Sequence, residues 1–167
     1  NLYFSPDGKS AIVVAEARKR LDFRDPKTMA LQAELPVPGC PGVNHADFSI
    51  DGRYAIFTCE FAGGVAKIDL VERKVLGYLQ LILPGKPTKV VKGPDGRDET
   101  ICTTWKGMPQ DIRVSPDGKT WYIADMMSNG VYVVDGERFA QIDYVKTSTG
   151  AHGLYPSRDG THLYVTN

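Results

Sequence analysis

Two of the three histidines, His45 and His152, share the chain with a carboxylate, Asp111, at positions that a repeated phrase brings into register. Counted back from an aspartate in each copy of that phrase, Asn44, Gln110 and His152 stand seven residues upstream. His45, Asp111 and Gly153 stand six upstream. Imidazole and carboxylate together suit a transition metal, and the same groups can grip a haem or an anionic small molecule. The amides of Asn44 and Gln110 add donors and acceptors beside them. A quieter role is open to all five, since polar side chains at strand ends cap backbone groups and hold channel water. No metal is expected; if one binds, its ligands are His45, Asp111 and His152.

Four residues before the same aspartates lie Asp47, Arg113 and Tyr155, and an ion pair between Asp47 and Arg113 on neighbouring repeats is expected, with the Tyr155 hydroxyl joining that network. His162 reads as a surface histidine, and the run Arg18-Lys19-Arg20 as a solvated loop face. Trp105 and Met108 flank an inserted segment and are expected to seal it against the rim.

The phrase that sets these positions is a turn: Ser5-Pro6-Asp7-Gly8, Ser49-Ile50-Asp51-Gly52, Ser115-Pro116-Asp117-Gly118 and Ser157-Arg158-Asp159-Gly160. Proline pre-sets φ at the second turn position, aspartate bonds back onto local amides and glycine accepts positive φ. Apolar or β-branched runs with alternating pattern flank each turn, so each phrase joins two strands. A second aspartate, Asp25, Asp69 or Asp135, follows 18 residues after Asp7, Asp51 or Asp117 and closes a third strand. A fourth strand comes after it. Four strands in some 42 to 44 residues is the period of a propeller blade.

The expected fold is therefore all-β, a β-propeller of four-stranded antiparallel blades, with about three and a half blades in this chain. We place the blades at about 1–36, 43–82, 108–146 and 150–167, in a single partial propeller domain over 1–167. Successive turn aspartates are 44, 66 and 42 residues apart, so the middle interval holds some 22 to 24 extra residues. They are assigned to an inserted hairpin at 83–107 whose turn is Gly93-Pro94-Asp95-Gly96. The fourth repeat stops at Asn167, short of the position of its closing aspartate. Because a propeller ring takes typically 4 to 8 blades, self-association or the remaining blades of a longer chain are expected to close it.

Twenty basic residues balance twenty acidic ones, leaving no field to hold nucleic acid or an anionic membrane. No apolar run reaches the length of a membrane span. Cys40, Cys59 and Cys102 have neither zinc nor haem-attachment spacing and read as three free or buried thiols, a Cys40–Cys102 bridge being the alternative in an exported protein. GxSxG, GxGxxG, Walker and HExxH signatures are all missing, which weakens hydrolase, dehydrogenase and nucleotide-enzyme readings.

The closing phrase "DGTHLYVTN" resembles the signature of the YVTN family of β-propeller repeat proteins, and "VSPDGKTWYIAD" and "FSPDGKSAIVVAE" are similar to it. "FSIDGRYAIFTCE" departs by losing the proline. The run "NHADFSIDGRYAIFTCEF" is similar to the haem-binding propeller of cytochrome-type nitrite reductases. The resemblance implies the fold and favours an extracytoplasmic location, but it carries over no cofactor, because a propeller's chemistry lives in particular side chains. The functional expectation is a binding or interaction module that recognises a partner or small ligand through rim loops and channel mouth. A metal- or haem-dependent enzyme domain, oxidoreductase or lactone hydrolase in type, is the alternative, and the sequence does not decide whether the protein is an enzyme.

Overall fold

The computed structural model describes residues 1–93, 96 and 98–167. Three four-stranded sheets follow one another, each meandering outward in chain order: β1 (Leu2–Phe4), β2 (Ala11–Ala15), β3 (Arg20–Arg24) and β4 (Leu31–Pro36); then β5 (Val43–Phe48), β6 (Tyr54–Cys59), β7 (Gly64–Asp69) and β8 (Lys74–Gln80). A separate hairpin, β9 (Thr88–Lys92) and β10 (Asp98–Cys102), precedes the third sheet. That sheet comprises β11 (Pro109–Val114), β12 (Thr120–Asp125), β13 (Gly130–Asp135) and β14 (Ala140–Lys146), and β15 (Leu154–Pro156) with β16 (Leu163–Val165) begins a fourth. Every pairing is antiparallel. The molecule is a partial β-propeller, as its turn spacing predicts. The inserted hairpin is present, although Pro94 and Asp95 of its predicted turn lie outside the described residues.

The four corner phrases fold alike. Each serine hydroxyl donates to the turn aspartate, from Ser5 to Asp7 at 2.6 Å, Ser49 to Asp51 at 2.7 Å, and Ser115 to Asp117 and Ser157 to Asp159 at 2.6 Å. The serine oxygen also accepts the backbone N–H five residues on, and the aspartate accepts the N–H two residues on. These donors hold the carboxyls of Asp7, Asp51 and Asp117 below their ordinary range and pull Asp159 down to about 2. Seating between blades adds a second constraint. Pro6 packs on Gly52, Ile50 on Gly118 and Pro116 on Gly160, so the residue before each turn aspartate rests on the glycine of the next corner. Ile50 fills the seat that Pro6 and Pro116 take, so the second phrase keeps this contact without a proline.

The aspartates at the 18-residue offset cap the next corner. Asp25, Asp69 and Asp135 each accept the N–H groups two and three residues on, at 2.8 to 3.0 Å. This Asx-type capping fixes where the third strand ends and the fourth begins.

Apolar faces stack blade on blade. Ile12, Leu21 and Phe23 of the first sheet pack with Phe57 and Ile68 of the second. Ile56 and Val65 pack with Trp121, Ile123 and Tyr132 of the third, and Ala124 and Val131 with Leu154 of the fourth. The strand alternation that gives each sheet two faces thus builds a core between every pair of sheets. Lys67 crosses the second of these gaps, its Nζ donating to the Gly136 carbonyl at 2.6 Å over the Tyr54 ring. Burial pushes its pKa down.

The structure departs from two sequence expectations. Cys40 pairs with Cys59, Cα to Cα 4.8 Å, and Cys102 is a buried free thiol; the turn between β4 and β5 folds Cys40 onto the end of β6, far along the chain from Cys102. Arg20 is half-buried rather than part of a solvated face, because strand β3 brings it against Asp22 and Glu34, both at 2.8 Å. His162 is exposed, as expected, and stacks on Tyr164.

Candidate binding site

Strands β5 and β11 lie side by side as the inner strands of consecutive blades, with β15 next to β11. Each of the first two carries a register shift at the same repeat position. In β5 the partner of Val43 is Cys59 and that of Ala46 is Phe57, so Asn44 and His45 together face Thr58. In β11 Pro109 faces Asp125 and Ile112 faces Ile123, leaving Gln110 and Asp111 opposite Ala124. The four predicted residues on these strands are therefore the bulged residues. A bulge bends its strand and re-aims the side chains it carries.

Thr58 fills the first bulge. Its hydroxyl accepts the His45 N–H at 3.0 Å and donates to the Gln110 carbonyl of the neighbouring blade at 3.1 Å. Thr166 stands at the same repeat position and accepts the Gly153 N–H at 2.8 Å. In the third blade, where the residue is Ala124, the Asp111 N–H reaches instead to the His152 carbonyl at 3.3 Å.

Glu60 joins the two amides. Its Oε2 accepts from Asn44 Nδ2 at 3.3 Å and its Oε1 from Gln110 Nε2 at 3.1 Å. Asp111, buried, accepts its own strand's Ile112 N–H at 2.9 Å and Arg113 Nη1 at 2.7 Å on Oδ1, and the Leu154 N–H of the next blade at 2.9 Å on Oδ2. His45 is half-buried and His152 exposed. Burial pushes the His45 pKa down, Asp111 pulls it up, and Arg113, His152 and the N-terminal amino group push it down again. The predicted residues thus form one neighbourhood, with Asn44 and Gln110 linked through Glu60, Asp111 and His152 linked through the backbone, and His45 within electrostatic reach of both.

Asp47 and Arg113 do not form the expected ion pair. Asp47 accepts the Phe48 N–H at 2.9 Å and the Val114 N–H of the third blade at 2.8 Å, while Arg113 turns to Asp111 in its own strand. The reason is a recurring latch, in which an inner-strand side chain accepts a backbone N–H from the inner strand of the following blade. Tyr3 takes that of Ala46 at 3.0 Å, Asp47 that of Val114 and Asp111 that of Leu154. A backbone donor that would otherwise be buried without a partner outcompetes a half-exposed guanidinium for the carboxylate.

Sequence reasoning missed Glu60, Thr58 and the latches. The signal for Glu60 was present, since the strand phrases "FSPDGKSAIVVAE" and "FSIDGRYAIFTCE" both end in glutamate. Among the described residues no group of three or more His, Cys, Asp or Glu side chains is arranged to hold a metal ion. A cleft of about 1280 Å³ lies elsewhere, between β8, the inserted hairpin and β14. Two glutamines hold its walls: Gln80 brackets the backbone N–H and carbonyl of Cys102, and Gln141 brackets those of Ile82.

No protein-family model matches the sequence, and no curated protein matches it. Solved structures do. Hydrazine synthase of Kuenenia stuttgartiensis superposes with a TM-score of 0.75 at 21% identity over 98% of this chain and 40% of its own. A protein from Lactobacillus plantarum gives a TM-score of 0.79 at 18% identity over 100% of this chain and 47% of its own. A 6-phosphogluconolactonase-like protein from Bacteroides fragilis gives 0.69 at 20% identity over 99% and 46%. What the likeness shows is the propeller fold. The chain spans less than half the length of each of these proteins.

Proposed function

We propose that this chain is part of a YVTN-type propeller, akin to the haem-binding propeller of cytochrome-type nitrite reductases in its second blade, and that it works as a binding module. Its ligand or partner group docks at the mouth of the channel, on Asn44, His45, Gln110, Asp111 and His152, with Glu60 and Arg113 added. The observation that carries this reading is the coincidence of the polar residues with inner-strand bulges at one repeat position in consecutive blades. Bulges interrupt the ladder at a cost, and they concentrate beside binding sites, where side chains need re-aiming. The ring is completed by a second copy or by further blades, and the Cys40–Cys59 disulfide supports an oxidising, extracytoplasmic compartment.

The test is a thermal-shift screen of the purified protein against polar small molecules, run beside metal analysis and an absorption spectrum. Stabilisation by a ligand that the exposed-site variant His152→Gln abolishes supports the module. Stoichiometric metal or a haem absorption band lost in the same variant moves the reading to a cofactor-dependent enzyme. A ligand that stabilises wild type and His152→Gln equally removes the site from the channel mouth.

A further inference from the structure

Among the described residues, the acceptors at the inner-strand bulges are engaged and several donors are not. Each carboxylate oxygen there already accepts a hydrogen bond: Asp47 from Phe48 and Val114 N–H, Asp111 from Ile112 and Leu154 N–H and from Arg113, and Glu60 from Asn44 and Gln110 amides. Among the described residues Arg113 spends only Nη1, on Asp111 and on the Ile112 carbonyl, and its side chain is 32% exposed. That leaves its Nη2 and Nε, together with the imidazoles of His45 and His152, to face an incoming group.

Resting on the reading that this is the binding site, we propose that the ligand it takes carries an oxyanion, a carboxylate or phosphate group, gripped by Arg113, His45 and His152. A cation entering here competes with backbone N–H groups for Asp47 and Asp111 and with the Asn44 and Gln110 amides for Glu60, and it sits beside a guanidinium. An oxyanion meets free donors, and the guanidinium fork matches its geometry. The charged groups around His45 are Asp111, Arg113, His152 and the N-terminal amino group. Burial holds the His45 pKa below its ordinary value, and a bound anion adds to Asp111 in opposing that shift, so binding tightens as pH falls below the ordinary histidine range.

The test is a titration of the histidine imidazole resonances at constant ionic strength, with inorganic phosphate and acetate in separate arms and putrescine as the cationic counterpart. Expected are saturable shifts of His45 and His152 with one or both oxyanions, and roughly tenfold weaker binding in Arg113→Met, the loss of one charge-assisted hydrogen bond. Arg113→Lys, which keeps the charge and loses the fork, recovers part of it. If Arg113→Met misfolds, His152→Gln, at an exposed position, reads the same loss. Shifts with putrescine alone overturn the oxyanion while leaving the binding site standing. Shifts with none of the three probes overturn both.

Discussion

Thr58 is the side chain on which the bulged geometry of the second blade turns. It is fully buried and holds the His45 N–H and the Gln110 carbonyl on one hydroxyl. Thr58→Val keeps the shape and removes the hydroxyl, leaving the partly buried His45 N–H and the buried Gln110 carbonyl without that partner. Such a loss costs about 1–3 kcal/mol. Denaturant unfolding is expected to show a drop in that range with unchanged m-value, and the His45 imidazole resonances to move, while Thr166→Val, on an exposed residue at the same repeat position, costs less. Equal costs at both positions would mean that the hydroxyl serves the turn of the chain rather than the contact between blades.

At the scale of elements the corners were legible because their chemistry is local: serine, aspartate and glycine satisfy one another within six residues. That chemistry has a pH signature. The folded pKa values of Asp7, Asp51, Asp117 and Asp159 lie below their ordinary range, so their contribution is present above about pH 4 and is lost as pH falls through the folded values, to about 2 for Asp159. Thermal midpoints measured from pH 5 to pH 2 should fall, and fall less steeply in a variant with all four corner serines changed to alanine. An unchanged slope would assign acid sensitivity elsewhere. Gly118→Ala tests the other half of the corner: it forces an alanine to φ +76° and drives its Cβ to 2.9 Å from Ile50 Cδ1, with an expected loss of about 1–2 kcal/mol by chemical denaturation. The bulges were not legible, because a register shift belongs to two strands at once and leaves no mark in either alone. The same is true of the Asp47 latch, whose partner is a backbone group 67 residues away, and of the Cys40–Cys59 bridge, which depends on how the loop into β5 returns to β6.

For the whole molecule the recurring latch indicates what kind of surface would complete the stack under the proposed ring closure. Tyr155 occupies the slot of Tyr3, whose hydroxyl accepts a backbone N–H from the inner strand of the following blade. On β15 and β16 the cross-strand pair Tyr155 and Tyr164 is 71% and 60% exposed, on the face opposite Leu154 and Leu163, which pack on the third blade. On β1, Leu2 and Phe4 are 49% and 58% exposed, on the face opposite Tyr3, which packs toward the second blade. Each exposed pair matches one side of the apolar interfaces already buried between blades, so a sheet of the same repeat fits against both. If a second copy closes the ring as proposed, head-to-tail joining would bring these faces together, each copy spanning 40–47% of the length of the matched propeller proteins. Light scattering of the purified chain should then report a dimer. Tyr155→Asp, which places a charge where the apolar contact and the latch would form, should shift it to monomer without loss of the strand signal in circular dichroism. A dimer that persists in Tyr155→Asp would locate the contact elsewhere, and a wild-type monomer at high concentration would leave the covering sheet to further blades rather than to a second copy.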